Sequence, residues 1–277
     1  MDYIELNVEV DSGDLSEILI ASLAEQGFES FSETENGFNA YIVAHQFDAE
    51  KVKQCFQQIS PNKKIQFTHK FIKDRDWNAV WESNYDPVII AGKCLIRAPF
   101  HPTVAGILHE IVIEPKMSFG TAHHETTAMM IEYLLEMDVK DKTLLDMGCG
   151  TGVLAILASK LGATSVEAID NDEWAYQNSI ENVKKNNITN INVSQGDATA
   201  LGGMKFDVIL ANINRNILLN DIEKYRHCLA DNGLLLMSGF YEADIPVIRD
   251  EAEKYGLRFT GNKLKNDWAA VMFTSIR

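Results

Sequence analysis

Residues 144–152, Leu-Leu-Asp-Met-Gly-Cys-Gly-Thr-Gly, constrain this chain more than any other stretch. An apolar run meets a carboxylate and enters a turn with glycine at every second position. Such a segment reads as a buried strand that passes through a tight turn into a helix. Glycine permits positive φ and leaves no Cβ between main chain and ligand. Twenty-two residues past Gly148, Asp170 ends a second apolar run. A glycine turn on one strand and a carboxylate at the end of the next is how an open α/β sheet holds a nucleoside. The carboxylate accepts from both ribose hydroxyls. Gly148, Gly150 and Asp170 are therefore candidate binding residues. The spacing is Gly-x-Gly-x-Gly and position 153 is valine, so the third glycine of the dinucleotide fingerprint is missing.

The rest of the chain fits that frame. From residue 126 onward, helical and strand patterns alternate. Helices are expected over 126–137, 154–161, 173–186, 221–229 and 245–255. Strands are expected over 143–146, 165–170, 192–195, 208–211, 233–237, 257–263 and 269–275. This is an α/β pattern, a doubly wound and mostly parallel sheet that closes on an antiparallel hairpin. The first seventy residues differ. A period-two strand over 3–10 is followed by a helix capped at Asp14 with Glu17 three positions on. Two strands then flank Asn36-Gly37, a hairpin signal, and a helix over 49–59 and a strand over 65–72 complete a βαββαβ order. That order is the ferredoxin-like α+β arrangement. Residues 73–87 read as a helical linker in which Trp77 and Trp81 share a face. The expected domains are 1–72, a linker at 73–87, and 88–277, with extra strands or hairpins over 88–113.

Charge narrows the function classes. The net charge is −15, and residues 1–50 carry twelve acidic residues and no lysine or arginine. A binder of phosphate backbones needs a basic footprint, so stable DNA binding is not expected. An acidic face attracts a basic protein partner. No apolar run reaches the ~18 residues of a membrane span, and the N-terminus has no signal-peptide core. Cys55, Cys94, Cys149 and Cys228 are scattered, which suits a reducing cytoplasm and forms no zinc pattern.

Further candidates sit where strands end. Asn212 follows the run 208–211, at the carboxyl end of a strand, where ligands of open α/β sheets bind. Asp197, after the third strand of this region, can accept from an adenine amino group or simply open a turn. Asp172 reads as a helix cap. His123 and His124 are adjacent, so their rings diverge. With no third ligand evident, no metal site is expected. Thr126 or Thr127 is the expected N-cap of the next helix, whose N-terminus also suits a carboxylate. Cys149 has no basic neighbour to activate it as a nucleophile.

The glycine turn with Asp146 before it resembles the first motif of class I S-adenosylmethionine methyltransferases. A second stretch is more specific. Phe119-Gly120-Thr121-Ala122-His123-His124-Glu125-Thr126-Thr127 contains Phe-Gly-Thr-x-x-His-x-Thr-Thr, and Ala211-Asn212-Ile213 follows the fourth strand. With the small N-terminal domain and the tryptophan-bearing linker, the chain over essentially its whole length resembles the PrmA family. That family methylates the stalk-base protein of the large ribosomal subunit. The resemblance implies a Rossmann-like class I methyltransferase domain and S-adenosylmethionine as cofactor. It also implies cofactor contacts at Thr127, Gly148, Asp170 and Asn212. Asn212 is the residue expected to orient the acceptor amine, a lysine side chain or an N-terminal amine. The N-terminal domain would recognise the ribosomal protein, and the enzyme would act as a cytoplasmic monomer. The family usually carries Gly-Thr-Gly where this chain has Gly120-Thr121-Ala122. Alanine costs on the order of 1 kcal/mol there if the position requires positive φ. Two other readings remain at this stage. One is an RNA or DNA amino-group methyltransferase, against which the charge and the absence of Asn-Pro-Pro-aromatic count. The other is a non-catalytic ribosome-assembly or cofactor-sensing module.

Overall fold

The structure is a computed structural model that describes residues 2–10, 13–34, 36–61, 65–72, 86–114 and 120–276. The chain divides into two compact units, Met1–Asn84 and Tyr85–Arg277. Most of the linker expected over 73–87, with Trp77 and Trp81, lies outside the described residues, as do Ser118 and Phe119.

Among its described residues the first unit is one antiparallel sheet of order β2-β3-β1-β4 with two α-helices. Its strands are β1 (Tyr3–Glu9), β2 (Ser30–Thr34), β3 (Gly37–Val43) and β4 (Gln66–Ile72). Alternate side chains of β1, namely Ile4, Leu6 and Val8, are buried, as the period-two pattern requires. They pack with Leu19 and Leu23 of helix α1 (Gly13–Glu25) and Val52 and Phe56 of helix α2 (Ala49–Ile59). Helix α1 begins one residue ahead of the cap expected at Asp14. Asp48 caps α2 by accepting from the Glu50 and Lys51 amides.

The second unit is built on a seven-stranded sheet of order β10-β9-β8-β11-β12-β14-β13. Its strands are β8 (Thr143–Met147), β9 (Ser165–Asp170), β10 (Ile191–Gln195), β11 (Phe206–Asn212), β12 (Leu229–Tyr241), β13 (Leu257–Lys265) and β14 (Trp268–Ser275). The first five run parallel, and β14 is antiparallel to both its neighbours. The central strands are apolar on both faces because both faces are covered. Leu144, Val208 and Leu210 face one core, while Leu145, Ile209 and Ala211 face the other. Helices α3 (Glu125–Glu136) and α4 (Val153–Lys160) supply the first core. Helices α6 (Arg215–Cys228) and α7 (Ile245–Lys254) supply the second. Helix α5 (Glu173–Lys185) crosses between β9 and β10. The extra strands β5 (Val88–Ile90), β6 (Cys94–Arg97) and β7 (His109–Val112) form a separate three-stranded sheet.

One helix starts earlier than its sequence pattern suggested. The periodicity marked 221–229, but α6 begins at Arg215, because Asn214 accepts from the Ile217 amide and caps it two turns upstream. The chain runs outward from β8 to β10 and then returns to β11 on the other side of β8. The carboxyl ends of β8, β9, β11 and β12 therefore meet at a topological switch point. No helix of the described residues is long and apolar enough to cross a membrane.

Candidate functional site

Those strand ends enclose a cavity of about 490 Å³. Its lining includes Gly148 and Gly150 after β8, Asp170 at the end of β9 and Asp172 beyond it, Asn212 at the end of β11 and Ile213 beyond it, and Gly239 of β12. His124, Thr126 and Trp268 close another side. A larger cavity, about 670 Å³, lies in the first unit among Asn7, Phe56, Phe67 and their neighbours. It gathers neither a glycine turn nor a set of strand ends, so the chemistry belongs to the smaller one.

The 148–152 turn is held from several directions. Gly148, Gly150 and Gly152 have φ of 69°, 55° and 78°, the left-handed region that glycine enters without strain. A Cβ on Gly148 would stand 2.2 Å from the Ile213 side chain, and one on Gly239 would stand 2.3 Å from the Ile213 carbonyl oxygen. The ends of β8, β11 and β12 thus close on one another only without those side chains. Asp170 is buried, and each of its oxygens accepts one amide proton. Gly150 N donates at 2.8 Å and Asp172 N at 3.0 Å. A carboxylate offers about four lone-pair directions, so both oxygens can still accept from a ligand diol. Asp172 caps α5 by accepting from the Ala175 amide, as its sequence position suggested.

Asp146 does what Gly152 cannot. The N-cap of α4 is Gly152, which has no side chain, and the Asp146 carboxylate accepts from the Ala155 amide at 3.0 Å instead. Burial pushes its carboxyl up to about 7, and the Asp170 charge adds to the shift. Folding therefore retains a proton at pH values between the ordinary ~3.9 of an aspartate and about 7. Stability present at low pH is lost as pH rises through that window, by up to about 1.4 kcal/mol per pH unit. Asp146→Asn should flatten this slope. Urea midpoints of both proteins at pH 5 and pH 8 measure it, and equal slopes would refute the assignment. Cys149 is buried beside this carboxylate, its Sγ 3.3 Å from Ser179 Oγ. Burial first, then the Asp146 charge, pushes the thiol up, which keeps it protonated and non-nucleophilic.

On the opposite wall, Ala122 adopts φ of 66°, so the chain does carry alanine at a left-handed position. The cap of α3 is His124, not either threonine. Its Nδ1 accepts from the Thr126 amide at 3.3 Å and lies 2.8 Å from Thr126 Oγ1. Thr126 and Thr127 fall inside the first turn and are buried. The sequence reading missed this because serine and threonine are the commoner caps.

Asn212 is 9 % exposed. Its Nδ2 donates to Thr127 Oγ1 at 3.2 Å, and its Oδ1 has no hydrogen-bond partner among the described residues. A buried carbonyl left unpaired costs about 1–3 kcal/mol, so this acceptor is suited to a donor that arrives from outside. Thr127 therefore stands behind Asn212 instead of lining the cavity. Asp197 is not among the lining residues. It is exposed and caps a short 3-10 helix (Ala198–Leu201), accepting from the Thr199 amide and hydroxyl. That hydrogen bonding holds its carboxyl below the usual value.

Trp268 and Gly239 line the cavity without having been marked in the sequence. The Trp268 ring meets the His124 ring edge to face, with centroids 4.6 Å apart, and Tyr241 at 4.3 Å. Its position just after Asn266-Asp267 in the final hairpin was the available signal, since the hairpin folds back against the strand ends.

Residues 13–275 match the family model described as ribosomal protein L11 methyltransferase (PrmA). The chain is 50% identical over 263 residues to a ribosomal protein L11 methyltransferase of Bacteroides thetaiotaomicron, covering 94% of each chain. It is 36% identical over 285 residues to the protein of that name from Chlorobaculum parvum, covering 98% of this chain and 96% of the other. Among solved structures, the ribosomal protein L11 methylase of Lactobacillus delbrueckii subsp. bulgaricus superposes with a TM-score of 0.65 at 27% identity. That match covers 70% of this chain and 100% of the other.

Proposed function

The chain belongs to the family of ribosomal protein L11 methyltransferase, PrmA, and on that premise we propose that it transfers methyl groups from S-adenosylmethionine to amino groups of ribosomal protein L11. The observation that carries the acceptor chemistry is the buried Oδ1 of Asn212 at the cavity wall, unpaired among the described residues. An amine N–H donates to such a carbonyl, and the bond aims the nitrogen lone pair away from the wall.

The residues present fit the cofactor. Asp170 retains acceptor capacity for a ribose diol, and the Gly148 and Gly150 main chain is bare of side chains where it faces the cavity. Thr127 supports this set through Asn212. The sequence-based assignment of Asp197 to the adenine amino group is less supported, because its carboxylate is engaged with Thr199 outside the lining. Bound S-adenosylmethionine supplies a methyl group made electrophilic by the sulfonium. The chain must hold the substrate's amine neutral and in line, in a site from which water is excluded. A free lysine titrates near ~10.4, and removal from water lowers that value. Ile213, Ile217, Ala175 and Trp268 give the cavity apolar wall for this purpose. His124 Nδ1 is committed to capping α3, and Asp170 and Asp172 are committed to main-chain amides. We assign none of them as general base, and solvent takes the proton before transfer.

The first unit, with strand order β2-β3-β1-β4 and two helices, is read as a ferredoxin-like recognition domain. Its acidic character suits a basic ribosomal protein. Supplied with methyl-labelled S-adenosylmethionine, the enzyme should label free L11 and leave naked ribosomal RNA unlabelled. Raising the salt should increase KM for L11 while leaving cofactor affinity nearly constant. Label in RNA and none in L11 would favour the nucleic-acid reading instead. No label in any ribosomal component would favour the non-catalytic one.

A further inference from the structure

Helix α5 and its C-cap carry asparagines at 178, 182 and 186, one face of a helix at i, i+4 and i+8. This face is turned inward, and Asn178 and Asn182 are no more than 1 % exposed. Asn186 Oδ1 accepts from Val112 N at 3.0 Å and its Nδ2 donates to Val112 O at 2.7 Å. Asn182 Oδ1 accepts from Glu114 N at 2.8 Å. The side-chain amides thus take the place of a neighbouring strand along the free edge of β7, which has none among the described residues. The same Asn182 turns its Nδ2 to the carbonyl of Thr151, inside the glycine turn, at 2.9 Å. Thr151, fully buried, sends its hydroxyl to the carbonyl of Gly120 at 2.7 Å. Gly120 has no Cβ to obstruct this, and one placed there would come within 2.9 Å of Thr151 Oγ1. The segment from Gly120 leads through Ala122 to His124 and Thr126 of the cavity wall.

We propose that Thr151 and Asn182 are positioning residues for methyl transfer. They fix the wall that carries His124 and Thr126 to the turn that holds the cofactor, which sets the distance between acceptor and methyl donor. The proposal rests on the reading of the 148–152 turn as the cofactor site. Both residues lie within the second unit: Thr151 bonds the main chain of Gly120, and Asn182 bonds the main chain of Thr151 and Glu114. The Asn182–Thr151 bond is buried and the Thr151–Gly120 bond partly so, so the loss of either leaves a polar group poorly solvated, and the wall must shift to pair it. Misplacement by about 1 Å is worth roughly 100-fold in rate.

The test compares Thr151→Val, which removes the hydroxyl at nearly constant volume, with Thr151→Ser, which keeps it. Thr151→Val should bind S-adenosylmethionine within about threefold of the parent by calorimetry, while kcat on L11 falls roughly 10- to 100-fold. KM for L11 should stay nearly constant, and Thr151→Ser should restore kcat. Asn182→Asp, which keeps the acceptor and loses the donor to Thr151, should show the same split. The double variant should lose little more than the worse single one, because both act on one wall. Gly120→Ala probes the same contact from its other side should Thr151→Val not fold. Unchanged kcat in these variants, or a cofactor affinity that falls in proportion to kcat, would overturn the proposal. Parent enzyme that binds no S-adenosylmethionine would instead overturn the cofactor reading beneath it.

Discussion

Asp170→Ala should raise the dissociation constant for S-adenosylmethionine at least 100-fold. Two contributions combine. A carboxylate that accepts two ribose hydroxyls makes charge-assisted bonds worth about 1.5–3 kcal/mol each, or a factor of roughly 10² to 10⁴ together. The same side chain also accepts from Gly150 N and Asp172 N, so its removal frees the turn that faces the ligand. Asp170→Asn separates the two effects. It retains one acceptor oxygen and presents an NH₂ where the second was needed, so its loss should be intermediate. Calorimetric titration with S-adenosylmethionine measures both, alongside thermal unfolding to establish that each variant is folded. Affinity unchanged in a folded Asp170→Ala protein would remove the cofactor assignment.

Asn212→Ala should act on the reaction more than on binding. Its Oδ1 is a buried acceptor without a partner among the described residues, and Thr127 already occupies its Nδ2. Removing a preorganised polar group aimed at a reacting atom costs about 100- to 1000-fold in kcat. Cofactor affinity should change by less than about tenfold, since one hydrogen bond contributes about 0.5–1.5 kcal/mol. Single-turnover transfer to L11 at saturating cofactor is the appropriate readout. A wild-type single-turnover rate would show that the amine is oriented by some other group.

Much of the second unit was legible because its strands are buried on both faces. Runs such as 144–145 and 208–211 have to be apolar throughout, and a glycine turn between such a run and a helix has few alternatives. Asp170 was legible because its offset follows from one helix and one strand of ordinary length. The cap at His124 and the early start of α6 at Asn214 were less visible, since a cap is set by local main-chain geometry that several residue types satisfy. Asp197 shows the opposite case, a sequence position suited to adenine whose side chain is held by its own turn. The asparagines of α5 were concealed by their polarity. A polar helix face reads as solvent-exposed, and nothing local reveals that a strand edge lies against it.

Ile213 touches both glycines of the cavity floor, but in different ways. At Gly148 the obstacle to a larger residue is the Ile213 side chain, whereas at Gly239 it is the Ile213 carbonyl. A smaller residue at 213 would make room at 148, leaving only the backbone strain of its φ of 69°, and would make none at 239. Substitution at 148 is thus conditional on what has already happened at 213, so the order of changes matters. Position 239 is closed whichever residue occupies 213, because every amino acid brings the same carbonyl. Two glycines that look alike in the sequence therefore differ in mutational accessibility, and only one belongs to a pair that can change together.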